Sequence, residues 1–254
     1  MSDAEDPIGA FDQNVQAVFR LMNFDREVQD LTIGYIEDLH HSLVRVQRIQ
    51  NEQLNGKRTL DMLRSIRTND SLRPRYQLIL NQAVVLLVSY FGSALGSLFR
   101  FAVERAIAGA DKRILSEDLN VEVEELLVRG DQIQDVLGDM LIQKKDISFQ
   151  DMKSVSRAFK TYFGIEIAKD DQVNNIIVVQ ACRHAIVHDG ARANSRILRQ
   201  IENAKPRTLK PQIAENEQIS FTPDEVEELA QNMKAYAINL HEKIQAYNTA
   251  LQCA

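Results

Sequence analysis

Apolar residues recur at helical spacing along most of the chain. From Asp25 onward the longest such stripe comprises Val28, Leu31, Ile36, Leu39, Leu43, Val46 and Ile49. Positions three and four residues apart share one face of a helix, so this pattern predicts amphipathic helices. The sequence shows no convincing alternation of strand-like and helix-like segments. We therefore expect an all-α protein built as a helical bundle.

Turn and capping residues predict where the helices begin and end. Breaks are expected at Asn55-Gly56, over residues 69–74 and in the irregular segment 205–220. Thr222 and Glu225, with Pro223 in the first turn, are typical of a capping box that opens the last helix. The remaining predicted starts are Ser116 for a helix to about Leu127, Asp131 for one to Ile142, Ser148 for one to Tyr162, and Asp170 for one to His188.

The segment 83–99, AVVLLVSYFGSALGSLF, contains no charged residue. Its length lies at the lower limit for crossing a bilayer. Three serines interrupt it, which favours a buried central helix, and a membrane segment is the alternative. Gly92 and Gly96 lie one turn apart, so we expect another backbone to approach this helix closely.

The helix predicted over 170–188 ends in an unusual group of polar residues. The uncharged run VNNIIVVQA is followed by CRHAIVHDG, and Gly190 is free to adopt a left-handed conformation that ends the helix. On a helical wheel, Arg183, His184 and His188 occupy one side. The opposite side carries Val179, Cys182 and Ile186 and is expected to face the core.

Three roles are open to this polar group. A histidine in a last helical turn can simply stabilise the negative end of the helix. Two histidines at i, i+4 can share a metal ion, but the intervening residues lack the HExxH glutamate, and a third ligand would have to be His40, His41 or His241. In the third role, a histidine moves a proton of a ribose-linked phosphodiester while Arg183 binds the non-bridging oxygens, yielding a 2′,3′-cyclic phosphate.

The charge distribution is uneven. The net charge of −6 argues against a non-specific nucleic-acid coat. Residues 183–210 are nevertheless locally basic, and Arg192, Arg196 and Arg199 follow i, i+4, i+7 spacing, which predicts one RNA-binding stripe on a helix spanning 191–204. Residues 57–75 form a second basic stretch. For both stretches a solvated surface is the alternative.

Composition narrows the class of protein further. Two cysteines offer no disulfide framework, and the acidic N-terminus has no apolar segment of the signal-peptide kind, so a cytoplasmic protein is expected. The sequence has no GxGxxG, Walker or paired-cysteine motif. We therefore expect neither a cofactor nor a metal centre.

Arg183-His184-Ala-Ile-Val-His188, followed by Asp189-Gly190, resembles the Rx4H motif of the HEPN superfamily, in which a polar residue follows the arginine. This resemblance covers about residues 75–254 and leaves 1–74 as an N-terminal helical extension; one continuous domain is the alternative. It implies a helical bundle, often a homodimer whose two motifs line one cleft. By position, Arg183 and His188 would be the catalytic pair, and His184 would orient or assist.

The resemblance implies a metal-independent endoribonuclease, of the kind found in toxin–antitoxin and phage-defence systems. RNA, a second copy of the chain, and an antitoxin or another defence protein are the expected partners. The rival prediction is a non-catalytic module of the same fold that binds a nucleotide or a partner protein. A membrane-associated helical protein is a third alternative that rests on residues 83–99 alone.

Overall fold

The computed structural model describes residues 6–47, 55–69, 73–121, 124 and 133–252. Nine helices are defined within these ranges: α1 (Pro7–Gln47), α2 (Asn55–Asn69), α3 (Arg73–Ala108), α4 (Lys112–Leu115), α5 (Ile133–Lys144), α6 (Met152–Phe163), α7 (Asp171–His188), α8 (Ser195–Ile201) and α9 (Pro223–Gln252). The described part of the chain contains no β-strand, and an antiparallel bridge joins Arg192 to Gln218. The predicted all-α class is confirmed.

Helix α3 forms the centre of the bundle. It packs against α1, α5, α7 and α9, and its aromatic side chains Phe91 and Phe99 are fully buried. The segment Gln77–Ala108 is long and apolar enough to cross a membrane, but 56% of its apolar window is buried inside the protein. The uncharged run 83–99 therefore has the burial expected of a central core helix.

The two glycines of α3 allow a close approach, as predicted. A Cβ atom at Gly92 would lie 3.3 Å from the carbonyl oxygen of Phe149, and one at Gly96 would lie 3.6 Å from the Phe149 ring. The segment that links α5 to α6 therefore crosses α3 at the positions where α3 has no side chains. This crossing places the start of α6 beside α7.

Several predicted helix ends are confirmed by their hydrogen bonds. Asp170 caps α7 by accepting the Val173 N–H at 2.8 Å. The Thr222 hydroxyl accepts the Glu225 N–H at 3.2 Å, and the Glu225 carboxylate accepts the Thr222 N–H at 2.9 Å. This reciprocal pair is the predicted capping box of α9.

Other predicted boundaries were wrong. Helix α6 is capped by Asp151, whose carboxylate accepts the Ser154 N–H at 2.8 Å, whereas the Ser148 hydroxyl accepts the Gln150 N–H in the preceding turn. Ser116 ends the short helix α4 instead of opening a new helix. Asn55-Gly56 lies in the first turn of α2. The helix predicted from Ser116 is not formed over residues 117–121, and residues 122–123 and 125–127 lie outside the described residues, as does the Asp131 cap.

Helix α1 is divided into a buried and an exposed half. Phe11, Val15 and Val18 are buried in the same core as α3 and α9, whereas Leu31 and Tyr35 are both 74% exposed. In its second half α1 packs against α2. Much of the predicted apolar stripe nevertheless faces solvent. The proposed division at residue 74 stays a prediction, with the first half of α1 packed into the core of residues 75–254.

The predicted irregular segment 205–220 is held against α7 by two buried asparagines. Asn174 donates to the Pro206 carbonyl at 2.9 Å. Asn175 donates to the Thr208 hydroxyl at 2.7 Å, and its carbonyl accepts the N–H groups of Thr208 and Leu209. One side of α7 is therefore fixed to this segment, and α6 lies beside another.

Candidate active site

The C-terminal end of α7 is held in a defined geometry. The Ala185 carbonyl accepts the N–H groups of both Asp189 and Ala191 at 2.9 Å, and Gly190 between them has φ +60°, as predicted. The Asn194 side chain donates to the Asp189 carboxylate at 2.9 Å. The last turn of α7, which carries the candidate residues, is therefore braced by the chain that follows it.

The predicted division of α7 into two sides is confirmed. Val179 and Cys182 are fully buried and Ile186 is partly buried against the core, whereas Arg183 and His184 are half-buried and His188 is exposed. Burial raises the pKa of the Cys182 thiol to about 12, so this cysteine is not a nucleophile at neutral pH. The chemistry available at this end of the helix comes from the arginine and the two imidazoles.

The two histidines are in contact. The ring centroids of His184 and His188 lie 4.7 Å apart, with an angle of 50° between the ring planes. Partial burial lowers the pKa of His184 below its ordinary value; Arg196, His188 and Arg183 contribute in the same direction, and Asp189 acts in the opposite direction. His184 is therefore neutral at pH 7 and has a nitrogen lone pair that can accept a proton or a hydrogen bond.

Arg183 and His184 line a cavity of about 910 Å³ between α6, α7 and the end of α8. Basic side chains line it from several directions; they are Lys153, Arg157, Lys160, Lys169 and Arg183. Val173 and Ile177 give it an apolar wall. His188 is not among the lining residues, so the contact of its ring with His184 is what connects it to the cavity.

Most of these positive charges have no partner within the described ranges. Lys160 pairs with Glu166 at 2.8 Å, but Lys153, Arg157 and Lys169 form neither an ion pair nor a hydrogen bond with any described residue. The Arg183 Nε is buried and also lacks a partner there. The one acidic lining residue, Asp151, is engaged as the α6 cap. The cavity is therefore suited to an anion.

Sequence reasoning missed the contribution of α6. Lys153, Arg157 and Lys160 follow i, i+4, i+7 spacing on the face opposite the buried Val155 and Phe159. That spacing was visible in the sequence. What the sequence does not contain is the crossing of α3 that places this basic face beside α7.

The predicted arginine stripe is corrected by the structure. The expectation that Arg192, Arg196 and Arg199 share one helix face was wrong, because α8 begins only at Ser195. The Asn194 side chain caps this helix by accepting the N–H groups of Arg196 and Ile197, both at 3.0 Å. Arg192 instead lies in the bridged segment before α8, and its guanidinium donates to the Asn216 carbonyl at 3.1 Å.

All three arginines are exposed, and Arg196 is near enough to His184 for its charge to lower the pKa of that histidine. The rest of the local basic excess is partly used within the fold. Arg207 donates to four backbone carbonyls, and Lys210 pairs with Glu225 at 2.8 Å. These two residues are therefore structural, whereas Arg192, Arg196 and Arg199 remain exposed beside the basic cavity.

In the basic stretch 57–75, the side chains of Arg64 and Arg67 are paired with Glu37 and Asp30 of α1. These pairs reduce the charge that this stretch presents to a ligand. Among the residues that the structure describes, no group of three or more histidine, cysteine, aspartate or glutamate side chains is arranged to hold a metal ion.

Comparisons with known proteins do not place the chain in a family. No protein-family model, no curated protein and no solved structure matches it. The relation to the HEPN superfamily therefore rests on the motif from Arg183 to His188 within an all-α fold and stays a prediction.

Proposed function

We propose that the protein is a metal-independent endoribonuclease of HEPN type. The observation that carries this proposal is the position of Arg183 and His184 on the wall of a basic cavity, with the ring of His188 against that of His184. A fixed cation beside titratable imidazoles is the combination that cleavage through the ribose 2′-hydroxyl requires.

Arg183 binds the scissile phosphate. Its guanidinium is permanently charged and offers paired N–H donors to two non-bridging oxygens. Because Arg183 is half-buried, part of its surroundings is protein instead of water, which strengthens its attraction for the negative charge that builds up in the transition state.

The histidines handle the protons. The 2′-oxygen attacks phosphorus as a base removes its proton, the bond from phosphorus to the 5′-oxygen breaks, and an acid protonates that leaving oxygen. The products are a 2′,3′-cyclic phosphate and a 5′-hydroxyl end. His188 is exposed and serves as the acid or the base, while His184, neutral at pH 7, orients the ring of His188 and assists it.

A homodimer would complete this arrangement. The reaction needs both an acid and a base, and within one motif only His188 is assigned to either role. A second copy facing it across a two-fold axis would supply the partner acid or base. We propose a cytoplasmic toxin or phage-defence effector of this kind, restrained by an antitoxin or another defence protein. Arg196 and Arg199, exposed on α8, would contact the RNA backbone, and Arg192 would do so from the preceding segment.

One observation favours the non-catalytic alternative as a second candidate. His188 does not line the cavity, so a nucleotide could fill the cavity without touching it. In that case RNA would bind and remain intact, and His188→Ala would not relieve any toxicity of the expressed protein.

The proposal is tested by incubating the purified protein with tRNA and mRNA in the presence of EDTA. Cleavage that Arg183→Ala and His188→Ala abolish supports it. Intact RNA, or cleavage that appears only when a metal ion is added, contradicts it.

A further inference from the structure

The proposed chemistry at Arg183 leaves most of the cavity unused. Gln180, which also lines it, is only 9% exposed. The Gln180 Oε1 accepts the Met152 N–H at 3.1 Å, and this bond fixes which end of the amide is the oxygen. Its Nε2 is buried and has no hydrogen-bond partner in the described part of the chain. A buried amide donor without an acceptor is destabilising unless a bound molecule supplies one.

The charged groups that line the cavity with this amide are cations, apart from Asp151, which caps α6. Lys153 and Arg157 approach from α6, Lys169 from the segment before α7, and Arg183 from α7, and none of them is paired with a carboxylate among the described residues. A site rich in donors selects a ligand rich in acceptor oxygens, and unpaired cations select an anion. Phosphate groups satisfy both conditions.

The size and the apolar wall of the cavity indicate more than a phosphate ion. About 910 Å³ is large for a single inorganic phosphate and falls in the range of sites that enclose a drug-sized molecule. Val173 and Ile177 present aliphatic surface on which the flat face of a base can rest. A nucleotide combines such a face with phosphate oxygens in one ligand.

We propose that this cavity is a nucleotide subsite in which Gln180 Nε2 donates to an acceptor oxygen of the ligand while Lys153 and Arg157 bind its phosphates. This deepens the proposed function and rests on it in one respect: if the protein cleaves RNA, the bound nucleotide is the unit of the strand that neighbours the phosphate at Arg183. The same chemistry would bind a free nucleotide, and the two sources are separated by experiment.

Binding is measured by fluorescence anisotropy with a labelled RNA whose riboses are all 2′-O-methylated, so that it cannot be cleaved. Unlabelled AMP, UMP and ATP are titrated separately by calorimetry. The test variant is Lys153→Ala with Arg157→Ala. The matched control is Arg20→Ala with Lys112→Ala, which removes the same charge from exposed positions that do not line the cavity. Because binding is the readout, the result does not depend on catalysis.

We expect the test variant to weaken RNA binding by at least about tenfold, which is the order of one lost charge-assisted contact. The dependence of log Kd on log salt should also become shallower by about 1.4, since two phosphate contacts to a single strand are removed. The control pair should bind like the wild type. Equal binding by the test and control variants would overturn the subsite.

Gln180→Glu examines the buried donor. The glutamate can still accept the Met152 N–H but has no N–H to donate, so we expect binding to weaken while the Tm confirms a folded protein. Should this variant fail to fold, the variant with Lys153→Ala and Arg157→Ala, both at exposed positions of α6, still decides the question.

The outcomes for the subsite and for the enzyme are distinct. If the wild type cleaves RNA and the variant with Lys153→Ala and Arg157→Ala binds RNA as the wild type does, the ribonuclease is kept and the subsite is removed. Free nucleotides that bind in an α6-dependent way, with no binding of the RNA, keep the cavity as a nucleotide site and remove the ribonuclease.

Discussion

The imidazole rings of His184 and His188 lie with their centroids 4.7 Å apart on successive turns of α7. The two rings differ in their surroundings, because His184 is half-buried at the cavity and His188 is exposed. His188 is one of several groups that lower the pKa of His184, after partial burial and Arg196.

The surroundings of His184 predict how this residue titrates. Burial and the neighbouring cations hold the pKa of His184 below its ordinary value, so Arg196→Ala, which removes one of these cations, should raise that pKa towards about 6.5. NMR titration of the histidine ring signals measures the shift. Arg20→Ala serves as the control. A His184 that titrates above 6.5 in the wild type would contradict the assigned environment.

Arg183 should be more important for activity than for folding. Its Nε has no partner among the described residues, so Arg183→Ala should shift the Tm by less than about 3 °C. The same change should reduce RNA cleavage by about a hundredfold or more, because a donor to the transition state is lost. Arg183→Lys should recover only part of this loss, since an ammonium group cannot form the paired contact. Kinetics and thermal melts of the same preparations check both statements.

Asn194 should contribute to stability through two separate contacts. Its side-chain oxygen caps α8, and its side-chain NH₂ group donates to Asp189 at the end of α7. Asn194→Ala should therefore lower the free energy of unfolding by about 1–2 kcal/mol, as measured in urea. Asn203→Ala, at an exposed position near the end of α8, is the control. A loss no larger than that of the control would show that the brace is unimportant.

The two halves of α1 should respond differently to truncation. Val18 is buried in the core, so Val18→Ala should cost about 2 kcal/mol of unfolding free energy. Leu31 is 74% exposed, and Leu31→Ala should change it by less than about 0.5 kcal/mol. Urea titrations of the two variants test this contrast. A large loss at Leu31 would mean that the exposed face is covered in solution.

Several structural features were predicted correctly from the sequence. The helical class, the burial of residues 83–99, the caps at Asp170 and Thr222 and the turn at Gly190 all follow from local chemistry, and the structure confirms them. The two-sided character of α7 also follows from periodicity alone. Each of these features was predictable from residues that lie close together in the chain.

Features that depend on tertiary packing were not predictable in the same way. Helical periodicity did not reveal that the stripe containing Leu31 lies beyond the reach of the core. The assignment of Arg192 to a helix failed because the Asn194 side chain caps α8 and the backbone of Arg192 bridges to Gln218. The cavity brings α6 to Arg183 through contacts between distant segments, so the motif alone could not show it.

The most direct test of the central claim is RNA cleavage by the wild type in EDTA, followed by analysis of the product ends. We expect 2′,3′-cyclic phosphate and 5′-hydroxyl ends from the wild type and from Arg20→Ala, and no products from Arg183→Ala or His188→Ala. Uncut RNA in the presence of folded wild-type protein, or equal cleavage by all four proteins, would contradict the assignment of Arg183 and His188 to catalysis.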